Sequence, residues 1–177
     1  FKARKGFDLV LGNPPWVKVE WNEQALLSDF DPRFAIRRLS AKEASDQRET
    51  VFAAAPAAKP EYLTECAAIE GLSHFFNAKQ NYPLLQGVQS NLYKCFIPVA
   101  WRIGSGVQAL LHPEGIYDDP NGGIFRRALY RRLRAHYQFV NVKSLFKEVM
   151  IWRRYSINIS ASDRSIISFR SISNIFL

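Results

Sequence analysis

The stretch DLVLGNPPWVKVEW, residues 8–21, sets three aliphatic residues directly against a glycine, an asparagine, two prolines and an indole. Leu9, Val10 and Leu11 form an apolar run bounded by Asp8 and by the breaker GNPP, which reads as a short buried strand stopping near Gly12. The NPPW exit is either a plain turn or a site, since Asn and Pro are ordinary turn formers. Pro14 lacks an N–H and pushes Asn13 out of the right-handed helical region, so the Asn13 amide and the nearby carbonyls are held rigidly. In an open α/β sheet, ligands bind outside the carboxyl ends of the strands, and NPPW occupies that position.

Outward from this strand, the segment 36–88 reads as a helical insertion, Ala-rich and charged, with prolines at 56 and 60. Within it, residues 61–80 place Tyr62, Cys66, Ile69, Leu72, Phe75 and Phe76 at helical spacing. SNLYKCFIPVAWRI, residues 90–103, predicts a second helix, capped by Ser90, kinked at Pro98, and burying Leu92, Phe96, Val99 and Ile103. A strand is expected at Val107–Leu111, a basic amphipathic helix over 122–137, and a strand from Gln138. RYSINISA and SIISFRSI alternate as two late strands, read as a hairpin about SDR. The order implies an α/β sheet with a late antiparallel strand pair.

A 177-residue chain with 47% hydrophobic and 14% aromatic residues builds a core, so disorder is excluded. There is no 18-residue apolar run and no secretory leader pattern, from which a soluble, cytoplasmic protein without membrane contact is expected. Cys66 and Cys95 lie in helical-looking sequence without metal-ligand spacing and read as reduced thiols. The net charge is +8, concentrated in FRRALYRRLRAHY and WRRYSI. That concentration suits a polyanion partner: Arg126, Arg127, Arg131, Arg132 and Arg134 are candidate phosphate contacts, and a solvated helix face explains them equally well.

The Asn13 amide offers one acceptor and two donors, and the Pro14 carbonyl is an acceptor that can face a substrate amine. Trp16 adds a flat apolar face. Acceptors aimed at an –NH₂ expose its lone pair for attack on an electrophilic methyl group and stabilise charge developing on nitrogen.

NPPW after an apolar strand resembles the (Asn/Asp)-Pro-Pro-(Tyr/Phe/Trp) motif of S-adenosylmethionine-dependent amino methyltransferases. Among these it looks most like the large DNA adenine-N6 methyltransferases of restriction-modification and phage-defence systems. SNLYKCFIPVAWRI resembles the helix with Asn-Leu-Tyr that comes after the family's catalytic loop. Residues 104–133 resemble its Gly-strand-Pro segment and Arg-rich helix, and residues 145–160 its later strand after a phenylalanine.

The resemblance implies a partial Rossmann-like methyltransferase sheet in which Asn13, Pro14, Pro15 and Trp16 form the amine-binding and base-stacking loop. Asn91 and Tyr93 would form a pocket wall. It also implies double-stranded DNA with a flipped adenine as partner and S-adenosyl-L-methionine as methyl donor.

One departure is large: the family's glycine-rich cofactor turn lies upstream of the catalytic loop, and only seven residues precede Asp8. The turn GSGVQ precedes a later strand and does not replace it. The chain is therefore expected to be the second half of a catalytic domain, with the cofactor held mainly by the remainder of the methyltransferase polypeptide, and inactive alone. The motif reads an amino group rather than a polymer, so guanine N2 in RNA or a protein glutamine is an alternative acceptor. A non-catalytic nucleic-acid-binding remnant is another alternative. His112 reads as structural, Asp118 and Asp119 as loop carboxylates, and no metal is expected.

Overall fold

Hydrogen bonds order β1 (Phe7–Gly12), β2 (Gly104–Pro113), β4 (Arg154–Ser160), β3 (Leu133–Val140) and β5 (Arg170–Phe176) into one open five-stranded sheet. The computed structural model describes residues 5–37, 39–89 and 91–176. β1 runs parallel to β2 and β3 parallel to β5, while β4 lies antiparallel between β2 and β3. Four strands therefore point one way, and the fold is mixed α/β. No described helix is long and apolar enough to cross a membrane.

The chain forms two compact units, one of residues 19–75 and one carrying the sheet, from residues up to 18 and from 76 onward. In the smaller unit α1 (Glu23–Ser28), α2 (Arg33–Ile36), α3 (Ala41–Ala54) and most of α4 (Ala58–Asn77) enclose Leu27, Phe34, Ala44, Val51 and Ala58. α3 begins at a capping box formed by Ser40 and Glu43. The helices thus start at Glu23, ahead of the expected 36–88 span, and residues 76–88 belong with the sheet.

In the sheet unit, α5 (Leu92–Ile103) and α7 (Gly123–Arg132) place Tyr93, Ile97, Ala100, Phe125 and Leu129 against Leu110 of β2, with Ile116 from the short α6 (Gly115–Asp118). α5 buries Tyr93, Ile97 and Ala100, whereas Phe96, expected on the buried side, is exposed. The helix is apolar on most of its circumference, so spacing alone does not select its core face. Asn91 caps it by accepting from the Tyr93 N–H; the proposed cap Ser90 lies outside the described residues.

Three further expectations change. β1 is an edge strand: Leu9 and Leu11 are 56% and 68% exposed, and Val10 alone packs on the core, because successive side chains point to opposite faces. The basic helix stops at Arg132, and Leu133, already extended, starts β3, so Arg134 is a strand residue. The change occurs without Gly or Pro and goes with the burial of Leu133 and Ala135.

The late strands form no hairpin. β4 has both edges occupied, by β2 and β3, and β5 pairs with the far edge of β3. The intervening SDR segment is held instead by Arg131, which ion-pairs with Asp163 at 2.7 Å and donates to the Arg164 carbonyl at 3.0 Å.

β4 also inverts the usual pattern, turning Ser156, Asn158 and Ser160 inward and leaving Ile157 exposed. Inside, Asn158 accepts from the Tyr117 hydroxyl, and Ser160 accepts from the Trp101 indole at 3.2 Å and donates to Gln108 at 3.3 Å. The opposite face of the sheet, with Leu9, Leu11, Val107, Ile157 and Ile172, stays open.

Candidate functional site

A cavity of about 1220 Å³ lies at the carboxyl ends of β1, β2 and β3, entirely within the sheet unit. Its lining comes from Trp16 and Lys18 after β1, from Asn77 at the end of α4 and Gly87 to Gln89, from Asn91, Tyr93 and Lys94 at the start of α5, from Pro113 to Gly115 and Asp118 to Asn121 at the end of β2 and beyond, and from Glu148 to Met150 and Trp152 to Arg154 between β3 and β4. The antiparallel β4 contributes its amino end, which is why chain segments converge there from both directions.

The NPPW loop is joined to α5 by one backbone bond, from the Leu92 N–H to the Val17 carbonyl at 2.9 Å. That bond brings Trp16 into one cavity with Asn91 and Tyr93, across more than seventy residues of sequence. Asn13 is exposed at the exit of β1 and does not line the cavity; among the described residues its amide has no hydrogen-bond partner. Pro14 is buried and Pro15 exposed. Trp16 is half-buried, donates from its indole to the Leu111 carbonyl at 3.4 Å, and packs on Phe146 at 5.1 Å and Tyr155 at 5.9 Å. Trp16 and Phe146 are in direct ring contact, so a base has no room between them and would meet Trp16 only from the cavity side.

The polar floor was not legible as a site. Lys94 Nζ pairs with Asp119 at 2.8 Å, both side chains nearly buried. Burial pushes the Asp119 carboxyl upward, but Lys94 and the Asn121 backbone N–H outweigh it and hold it below the usual range. Glu114 is buried, and burial opposes its ionisation; hydrogen bonds from His136 at 3.1 Å and Gln138 at 2.8 Å, and from Ser156, bring its carboxyl below the ordinary value all the same. Two ionised carboxylates and one ammonium thus form the floor. Burial raises the Tyr93 hydroxyl out of the physiological range and pushes the Cys95 thiol up to about 11, which makes that thiol inert. Behind the floor, His112 is fully buried, stacked on Tyr93 at 5.3 Å, with Nδ1 donating to the Pro113 carbonyl at 2.9 Å and Nε2 unpartnered among the described residues.

The five arginines lie elsewhere. Arg126 donates to the Asp119 and Ile116 carbonyls. Arg132 pairs with Asp163 at 3.2 Å and lies over the Trp101 ring at 5.0 Å. Arg134 donates to the carbonyls of Arg132 and Ser162, and Arg131 is tied to Asp163. Arg127 alone of the five is exposed without such a bond among the described residues, and none of the five lines the cavity. The cations at the cavity mouth are Lys18, Arg153 and Arg154.

The glycines of GSGVQ do not cradle a cofactor. They lie at the amino end of β2, and a Cβ at Gly106 would stand 2.1 Å from the Asp8 carbonyl oxygen of β1, so this glycine serves close strand approach. Among the described residues, no group of three or more His, Cys, Asp or Glu side chains could hold a metal ion.

No protein-family model matches the chain, and no curated protein matches it. Among solved structures it is similar to a chain in a cryoEM structure of a DrdV–DNA complex, with 13% identity and a TM-score of 0.46. The similarity covers 97% of this chain and 15% of that one, so the chain spans less than a sixth of that protein's length.

Proposed function

We propose that this chain is the target-base half of an adenine-N6 DNA methyltransferase, acting in the cytoplasm, whose methyl-donor cradle is supplied by other parts of the polypeptide. The observation that carries the proposal is the union of the NPPW loop with the start of α5: Leu92 N–H to Val17 C=O at 2.9 Å sets Trp16, Asn91 and Tyr93 around one cavity at the carboxyl end of the sheet. A cavity of this size accepts a nucleotide swung out of a duplex.

In this reading the base lies against the cavity side of Trp16 and turns its exocyclic amine out to the Asn13 side-chain oxygen and the Pro14 carbonyl, which stand beside the cavity at the exit of β1. The rigid elbow holds those acceptors before the base arrives, so no reorganisation accompanies the reaction. S-adenosylmethionine, when bound, supplies the electrophilic methyl group; this chain's residues orient the amine and exclude water. The binding-remnant alternative would rest on the same five arginines, of which Arg126, Arg131, Arg132 and Arg134 also bond within the fold.

The test uses the complete reading frame, labelled methyl donor and duplex DNA. Asn13→Ala should lower methyl transfer by about 10²–10³-fold with DNA affinity unchanged, the range seen when one preorganised hydrogen-bonding group is removed from a charge-stabilising site. Undiminished transfer refutes the role of Asn13.

A further inference from the structure

We propose that the tip Met150-Ile151-Trp152 of the β3–β4 loop is a wedge that enters the base stack beside the extruded nucleotide, with Arg153 and Arg154 on the flanking phosphates. This rests on the nucleic-acid reading of the cavity. Met150 and Trp152 are 80% and 72% exposed, and Ile151 is 50% exposed. Three large apolar side chains in succession at a loop tip are costly in water, and such patches mark contact sites.

The loop is firmly built beneath that tip. Asn141 is fully buried; its amide donates to the Phe146 carbonyl at 3.0 Å and the Val149 carbonyl at 2.9 Å, and accepts from the Phe146 N–H at 3.2 Å. The Asn141 N–H donates to the Arg153 carbonyl at 3.2 Å, closing the loop at its base. Arg153 N–H donates to the Met150 carbonyl at 2.9 Å, forming the turn that presents Ile151 and Trp152. Phe146 pins the loop to Trp16 and to Tyr155, the latter at 5.0 Å. The tip is thus held in a fixed position relative to the NPPW loop.

Charge and position select the occupant. Residues 141–154 carry Lys143, Lys147, Arg153 and Arg154 against the single carboxylate Glu148, a balance that suits a polyanion. Met150, Trp152 and both arginines border the cavity. A lipid surface would also accept aromatic and basic groups, but it gives no use to a nucleotide-sized polar cavity beside them. Extruding a base leaves a gap in the stack, and apolar wedges that fill such gaps offset the cost of unstacking.

The experiment uses the complete polypeptide, random-sequence duplexes, the same duplexes with one abasic site, and phosphatidylserine vesicles. Trp152→Ala should weaken binding to the intact duplex by roughly tenfold to a hundredfold, the range for lost aromatic–base stacking, and weaken binding to the abasic duplex by much less, since its gap is already open. Trp152→Phe should restore most of the loss. Arg153→Gln with Arg154→Gln should weaken both duplexes alike and flatten the salt dependence.

Trp152→Ala binding both duplexes within twofold of the parent overturns the wedge, as does a loss confined to the vesicles. If Trp152→Ala loses affinity as expected while no methyl transfer is ever seen, the wedge stands and the methyltransferase reading falls. If transfer and affinity both survive Trp152→Ala, the wedge falls alone. Absence of any duplex binding removes both.

Discussion

His112→Phe should change the acid sensitivity of the fold while leaving its neutral-pH stability nearly intact. The ring is fully buried and stacked on Tyr93, and burial pushes its pKa from 6.5 down to about 4, against the opposing pull of the Pro113 carbonyl and Glu114. Between those values the unfolded chain binds a proton that the folded chain refuses, so stability falls as pH falls from 6.5 towards 4. At 1.36 kcal/mol per pH unit, the full window amounts to roughly 3 kcal/mol, and about 2 kcal/mol of it is lost by pH 5. At pH 7.5 phenylalanine keeps the stack, removes the unpartnered Nε2, and forfeits the Nδ1–H to Pro113 bond; these opposing effects leave the two proteins within about 1 kcal/mol. Urea unfolding at half-unit pH steps from 7.5 to 4.5 measures the difference. Because every other ionisable residue is common to both proteins, the difference between the two curves isolates His112. Parallel curves for parent and His112→Phe would show that the buried ring accepts its proton without unfolding, and would refute the reasoning.

Lys94→Met strands the Asp119 carboxylate at a nearly buried position, so it should cost about 3 kcal/mol, or a fall in Tm of roughly 6–12 °C, and adding Asp119→Leu should recover most of this; calorimetry of the three variants decides it. Gly106→Ala forces a Cβ onto the Asp8 carbonyl oxygen and should cost about 1–3 kcal/mol, with faster hydrogen exchange in β1 than in β3. Leu9→Ser with Leu11→Ser should lower binding of an apolar dye to the isolated chain with little loss of folding, because both side chains already face water on the open side of the sheet.

The strand exit at NPPW was legible because its signals are local: an apolar run, a breaker and two prolines fix where β1 ends whatever packs on it. The cavity shared by Trp16, Asn91 and Tyr93 is not local. It is closed by contacts distant in sequence, the Leu92 N–H to Val17 carbonyl bond and the packing of Trp16 on Phe146 and Tyr155, which no spacing announces. Side-chain direction was the least legible. In RYSINIS the alternation is plain but does not say which set of side chains turns inward; Tyr117, Trp101 and Gln108 supply the partners that draw Asn158 and Ser160 inward. The basic run of α7 and early β3 is ambiguous for a related reason: it looks the same whether its cations meet phosphates or, as Arg131 and Arg134 do here, bond the carbonyls of a returning segment.

The buried charges of the cavity are already partnered, whereas its exposed rim carries both signs, Lys18, Arg153 and Arg154 with Asp118 and Glu148. Glu114 and Asp119, both held ionised, lie at the floor with Lys94, while Arg153 and Arg154 stand exposed at the mouth beside Lys18. A phosphate entering the floor would meet two carboxylates with one ammonium already committed. At the mouth three cations outnumber the two carboxylates, and in the proposed reading the phosphates are received at Arg153 and Arg154. The same polarity orders the events in the proposed reading: cations hold the backbone, the apolar tip at Met150 to Trp152 occupies the stack, and only the base passes the rim. Swapping the signs tests that ordering directly. Glu114→Gln should leave duplex affinity within twofold, whereas Arg153→Glu with Arg154→Glu should lower it by at least tenfold in low salt; equal effects from both would mean that the cavity floor, not its rim, carries the contact with the strand.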